Sequence, residues 1–145
     1  MAVVYLDSSV LVSIAFGDSR GSQASTLLAS RNSCTSELTP VECQSALSFH
    51  YSAASADLRV AEEALEAVLA GTQLIQVTSS VLAQARTLIR RYRSGLGLRT
   101  LDALHVASCT EMQTQLGPGA IEYITADRRQ HNAFTAEGFH GTLLS

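Results

Sequence analysis

Four acidic side chains stand where this chain could use them for chemistry. Asp7 follows Val3, Val4, Tyr5 and Leu6, a short run of β-branched, aromatic and aliphatic residues that reads as a fully buried strand. A carboxylate directly after such a strand is costly unless something there uses it. Asp127 follows a second apolar run, Ile121 to Thr125, in the same way. Glu42 and Asp102 fall in the first turns of helices that start after Thr39 and Thr100. Each acid also has an ordinary structural reading. Asp7, Ser8 or Ser9 would cap the helix that resumes at Val10. Thr39-x-x-Glu42 and Asp127-x-x-Gln130 fit capping boxes. Asp102 gains from the helix macrodipole.

Taken together the acids say more. In open α/β sheets ligands bind just beyond the carboxyl ends of the strands, and all four acids are placed to meet there. Four carboxylates in one crevice cannot all stay ionised without a counter-charge. A hard divalent cation, Mg²⁺ or Mn²⁺, suits oxygen ligands and leaves room for waters and substrate phosphate. Such an ion lowers the pKa of water and stabilises the oxygens of an in-line phosphodiester displacement.

The elements that must position these acids alternate. After the first strand and helix, Gly17 to Gly21 reads as a loop and Ser22 to Ser30 as a helix. Ser33 to Thr35 is a short second strand. Thr39 as N-cap and Pro40 at the first helical position open the next helix. Ala56 to Leu69 is a strong helix with Leu58, Ala61, Leu65, Val68 and Leu69 on one face. Gly71 stops it. Gln73 to Val77 reads as the third strand, and Ser79 or Ser80 caps a helix that ends at Gly95 and Gly97. Thr100 caps LDALHVASCTEMQTQL, which Gly117-Pro118-Gly119 terminates. The strand Ile121 to Thr125, a short helix from Asp127 and a last strand around Phe139 to Leu143 complete the chain. Two consecutive helices lie between the second and third strands. This order predicts a parallel sheet with helices on both faces.

Composition bounds the rest. The 145 residues suggest one domain, spanning 1–145, with a real core. The chain is 46% hydrophobic and 16% charged, with a net charge of -3. Bulk charge therefore does not announce a nucleic-acid binder. A mean hydropathy of +0.15 hints at apolar surface that a partner covers. No apolar run can span a bilayer and no leader pattern opens the chain, so a cytoplasmic location is expected. Cys34, Cys43 and Cys109 lack metal-type spacing and read as small buried residues. The sequence contains no lysine. Mechanisms that need an active-site ammonium, including aspartyl-phosphate transfer with Asp7 as nucleophile, are thereby disfavoured.

The segments YLDSSVLV around Asp7, TPVECQSAL around Glu42, RTLDALHVAS around Asp102 and ITADRRQHNAF around Asp127 occur in the order of the PIN-domain family. The chain resembles most closely the VapC-type ribonuclease toxins of type II toxin–antitoxin pairs. The resemblance implies a three-layer α/β/α sandwich around a mostly parallel sheet of about five strands. It implies endonucleolytic RNA cleavage with Mg²⁺ or Mn²⁺. Asp7 and Asp102 are then the principal metal ligands, with Glu42 and Asp127 completing the catalytic set. Ser8, Ser9 and Thr125 match the small hydroxyl positions beside the acids. It further implies a homodimer and a small VapB-like antitoxin lying over the acidic groove.

Other residues carry weaker signals. His105 reads as a buried, hydrogen-bonded histidine rather than a base or ligand. Arg86, Arg90 and Arg93 fall on one flank of a helix, and Arg99 precedes Asp102. They read either as a solvated face near a helix C-terminus or as an RNA-contacting rim of the acidic pocket. Two other functions compete: a PIN-like RNA- or protein-binding module without activity, and a nuclease that takes DNA. Loss of pocket acids would mark the first, and all four are present.

Overall fold

In the computed structural model, which describes residues 1–145, Val3–Leu6 forms the central strand, β1. Its side chains alternate between two cores. Val4 and Leu6 pack to one side with Val10, Leu11, Cys43, Leu47, Leu58 and Leu65. Tyr5 packs to the other with Val81, Leu88, Val106, Tyr123 and Phe134. All of these are buried, which is why the strand reads as a continuous apolar run.

The chain leaves β1 into α1 (Ser8–Phe16) and α2 (Ser19–Leu28), then β2 (Ser33–Ser36). It continues through α3 (Thr39–His50) and α4 (Ala56–Ala70) to β3 (Thr72–Ile75). Helices α5 (Ser79–Arg91) and α6 (Thr100–Leu116) lead to β4 (Ile121–Thr125), and α7 (Arg128–Ala136) leads to β5 (Gly141–Leu143). The strands lie in the order β3-β2-β1-β4-β5, and every pairing is parallel. The result is a three-layer α/β/α sandwich. Helices α1 to α4 supply the core on one face and α5 to α7 the core on the other.

This order has one topological switch point. The chain steps outward from β1 to β2 to β3, then crosses to β4 on the far side of β1. Ligand crevices open at such a point, beyond the strand C-termini. Register completes the placement: Leu6 pairs with Ile124, so Asp7 comes to lie beside Thr125.

Several local expectations shift. Gly17 alone ends α1, in the left-handed conformation, and α2 begins at Ser19 rather than after a loop reaching Gly21. Gly21 belongs to the first turn of α2 and lies against α1. A Cβ there would stand 2.3 Å from the Ser13 carbonyl oxygen. Thr78, rather than Ser79 or Ser80, caps α5 by accepting from the Val81 N–H, and α5 closes at Tyr92, before the glycines. β3 stops at Ile75 because the Val77 N–H turns to Glu37 Oε1 (2.7 Å) instead of a strand partner. The helix α6 starts at Thr100 with Arg99 in the cap position.

Candidate active site

Four helix N-termini converge at the C-terminal edge of the sheet, and each brings one acid. Asp7 is the N-cap of α1 and Asp127 that of α7. Glu42 and Asp102 lie in the first turns of α3 and α6. The partial positive charge at a helix N-terminus favours a carboxylate there. All four line one open pocket of about 380 Å³, with Ser8, Ser9, Arg99, Thr100, Leu101, His105, Arg129 and Gln130. Leu101 is the single apolar member.

Asp7 is the most tightly held. It is 3% exposed. Its Oδ1 accepts from Ser9 Oγ (2.6 Å) and the Val10 N–H (3.3 Å), and its Oδ2 accepts from Thr125 Oγ1 (2.5 Å). Ser9 Oγ in turn accepts from the Ala126 N–H (2.9 Å), and Thr125 Oγ1 from the Asp127 N–H (3.1 Å). The two hydroxyls thus tie the β1–α1 turn to the β4–α7 turn. Burial pushes the Asp7 pKa up, and His105 with the three hydrogen bonds offsets only part of that. A carboxylate held in one orientation yet short of charge compensation is a ready ligand for a cation.

Glu42 does not form the capping box its spacing suggests. Thr39 is the first residue of α3 rather than its cap, and Leu38 occupies the cap position without a side-chain bond. The Thr39 hydroxyl is buried against that of Thr35 (2.7 Å). Glu42 is therefore free to reach across the pocket. Its Oε1 pairs with His105 Nε2 (2.8 Å) and its Oε2 accepts from Ser8 Oγ (3.2 Å). His105 is buried and bonded at both ring nitrogens, since Tyr5 OH lies 2.7 Å from Nδ1. Burial, reinforced by Cys109, Asp7 and Cys34, keeps the Tyr5 phenol protonated. In the neutral ring the phenol donates to Nδ1, and Nε2–H donates to Glu42. Burial opposes a charge on His105, but Glu42, Asp7 and Asp102 outweigh it and raise its pKa.

Asp102 sits one turn before His105. Its Oδ2 accepts from the Arg99 N–H (3.1 Å), so it does cap α6. The same oxygen faces Arg129 Nε at 3.8 Å. The buried side-chain amide of Gln130 donates to the Asp102 backbone carbonyl (3.1 Å) and locks this turn against α7. Gln130 therefore does not close a box with Asp127, whose Oδ1 accepts from the Arg129 N–H (2.9 Å) instead.

The structure brings Asp7, Glu42, Asp102 and Asp127 together with Ser8, Ser9 and Arg99, and places Thr125 directly behind Asp7. It leaves Arg86, Arg90 and Arg93 exposed on or just beyond α5, outside this pocket. Arg99 lines the pocket but touches Asp102 only through its backbone N–H, and the guanidinium that faces an acid is that of Arg129. Nothing local distinguishes it from Arg128, because a single residue's rotation about the α7 N-terminus decides which one faces the acids. The donor set suits a hard cation: it is all oxygen, partly pre-oriented and open to water. No three of the side chains stand close enough to enclose an ion unaided.

A parallel α/β sandwich with an acidic pocket at its switch point is the architecture of a class of nucleases that hold metal on carboxylates. The chain belongs to the PIN domain family, whose model matches residues 4–134. No curated protein sequence matches the chain significantly. Solved structures extend the likeness. The fold is similar to VapBC2 from Rickettsia felis bound to a DNA fragment from its promoter, with a TM-score of 0.70 at 14% identity over 99% of each chain. It is similar to VapC20 of Mycobacterium tuberculosis, a sarcin-ricin-loop-cleaving toxin, with a TM-score of 0.64 at 23% identity over 94% of this chain and 95% of that one. It also resembles DNA-bound VapBC from Salmonella typhimurium, at 0.63 and 14% over 98% of each chain.

Proposed function

We propose that the chain, residues 1–145 acting as one PIN domain, is a metal-dependent endoribonuclease and the toxin of a toxin–antitoxin pair. One observation carries this reading: four carboxylates from four separate elements line a single open pocket at the sheet's switch point. A stability role would not require them to meet. The toxin assignment draws support from the fold shared with VapC proteins at full chain length.

In this reading Asp7 and Asp102 would hold the cation, Mg²⁺ or Mn²⁺, with Glu42 and Asp127 completing the acidic set. The ion would supply Lewis-acid stabilisation of phosphoryl charge and a lowered pKa for the attacking water. The chain's own residues do the rest. Ser9 and Thr125 hold both oxygens of Asp7 in place. His105, steadied by Tyr5, orients Glu42. Arg99 and Arg129 flank the acids and bind the substrate phosphate, which a planar guanidinium suits.

The partners follow from surface chemistry. Val41 and Phe49 on α3 and Val60 on α4 are 68%, 95% and 65% exposed, and apolar groups of that size favour a covered surface. The chain is proposed to form a homodimer and to bind a VapB-like antitoxin over the acidic groove. A basic antitoxin side chain would satisfy the carboxylates there. The location proposed is the cytoplasm, and no helix is long and apolar enough to cross a membrane.

The test is cleavage of a mixed RNA pool and of matched single-stranded DNA by the purified chain. Cleavage of RNA that needs Mg²⁺ or Mn²⁺, stops with chelator and is absent in Asp7→Asn supports the reading. Metal-independent cleavage, or none, removes it. Cleavage of DNA alone moves the substrate.

A further inference from the structure

The turn that carries Asp127 has two sides. Asp127 and Arg129 face the acidic pocket, while Ala126 and Arg128 line a separate one. This second open cavity, about 310 Å³, is also lined by Arg20, Leu143, Leu144 and Ser145. It lies on the same C-terminal edge of the sheet, since Leu143 ends β5 and Arg20 sits in the first turn of α2. The two pockets therefore share one wall, the β4–α7 turn.

Its electrostatics oppose those of its neighbour. Two guanidinium groups reach it and no acidic side chain lines it; the one anionic group among its lining residues is the main-chain carboxylate of Ser145. Neither Arg20 nor Arg128 makes a salt bridge or a side-chain hydrogen bond, whereas Arg31, Arg91 and Arg129 each pair with an acid. Both arginines are exposed, and each stands at the N-terminal end of its helix, where the backbone adds partial positive charge. Unpaired guanidiniums at two converging helix N-termini bind phosphate oxygens well.

We propose that this cavity is a second phosphate subsite, in which Arg20 and Arg128 hold the backbone of the same single strand at a phosphate neighbouring the one in the acidic pocket. The proposal rests on the nuclease reading of that pocket. An acidic cleft repels a polyanion, and this chain carries net negative charge. A basic step directly beyond the acids supplies the attraction that lets a strand lie across them. Metal in the acidic pocket and arginine beside it then share one strand, and cleavage falls at a fixed distance from the anchored phosphate.

The experiment measures binding of a fluorescein-labelled, mixed-sequence single-stranded RNA by polarisation, in Mg²⁺ and in a full-length Asp102→Asn background that spares the probe. Salt is varied from 50 to 200 mM. Each lost phosphate contact on a single strand lowers the salt slope by about 0.7. Arg20→Gln with Arg128→Gln should therefore lower it by about 1.4, so the affinity gap to the parent narrows about sevenfold across that fourfold salt range. Arg59→Gln, on the exposed face of α4, serves as control. Equal slopes for parent and double variant overturn the subsite. Poly-glutamate of similar length is the second probe. If the double variant loses poly-glutamate binding and keeps its RNA slope, the cavity takes an acidic protein segment and the proposal falls. Cleavage of the unlabelled RNA by the wild-type chain is followed in parallel. Cleavage with equal slopes removes the subsite and leaves the nuclease. A changed slope without cleavage keeps the subsite and removes the nuclease.

Discussion

His105 Nε2 lies 2.8 Å from Glu42 Oε1, joining residues of α6 and α3 that are 63 positions apart. The contact takes Glu42 out of any local capping role and aims it at the acids of α1 and α6. Behind it Tyr5, on the central strand, fixes the other ring nitrogen. The orientation of one pocket carboxylate is thus referred directly to the core of the sheet.

Glu42→Gln tests this relay. Glutamine preserves the size and the bond to Ser8 but removes the charge. Because Glu42 does not cap α3, the fold should lose about 1 kcal/mol or less. Cleavage should fall by about tenfold or more at ordinary Mg²⁺, as for changes around metal ligands. Full cleavage with a lowered Tm would make Glu42 a structural residue only. The measurements are initial rates over a Mg²⁺ series and thermal melts.

Tyr5→Phe probes the far end of the same relay. It leaves His105 Nδ1 buried without its donor, which costs about 1–3 kcal/mol. Metal affinity by calorimetry should weaken because the imidazole that bonds Glu42 loses its own anchor. A variant as stable as wild type, with unchanged metal affinity, would show that the phenol positions nothing.

Asp7→Asn should abolish cleavage and still fold, and without metal it should be more stable than wild type. The sign follows from burial. Because the folded pKa of Asp7 is raised, its contribution to stability is complete below the unfolded value, about 4. It is lost as pH rises through the folded value. Asparagine has no such dependence. In urea unfolding with chelator, the stability difference should be small at the acid end, widen in favour of Asp7→Asn as pH rises, and then level off. A constant difference across pH would contradict the burial argument.

Arg129→Gln should tighten Mg²⁺ binding. Its Nε stands 3.8 Å from Asp102 Oδ2 and its side chain is about one-third exposed, so it would act as an internal cation in competition with a metal. Such pairs are worth about 0.2–1 kcal/mol, so calorimetry should show an affinity gain of up to about fivefold. RNA turnover should fall, since the same guanidinium serves the substrate phosphate. Weaker metal binding in the variant would reverse the assignment.

Gly21→Ala should destabilise without touching the site. The new Cβ would meet the backbone of Ser13 and Ile14 at 2.3 to 2.9 Å, so α1 and α2 must separate. Overpacking of this kind costs about 1–3 kcal/mol, read as a Tm lowered by several degrees. An unchanged melt would mean that the two helices slide apart freely.

Much was determined along the chain itself. The apolar run at Val3 to Leu6, the alternation of strands and helices, and the placement of Asp7, Glu42, Asp102 and Asp127 at element starts are local patterns. Burial and periodicity write such patterns directly into residue order. What each acid does was decided only by the tertiary structure. A carboxylate at a helix N-terminus is equally suited to cap or to face a ligand, and local spacing cannot separate the two. Asp7, Asp102 and Asp127 cap their helices and also line the pocket, while Glu42 leaves its cap because the packing of α6 brings His105 within reach. The same physics separates the arginines. Arg86, Arg90 and Arg93 share a flank by helical period alone, but only the crossing from β3 to β4 settles which surfaces border the pocket. That crossing left those three outside and delivered Arg99 and Arg129, residues whose reach depends on contacts distant in the chain.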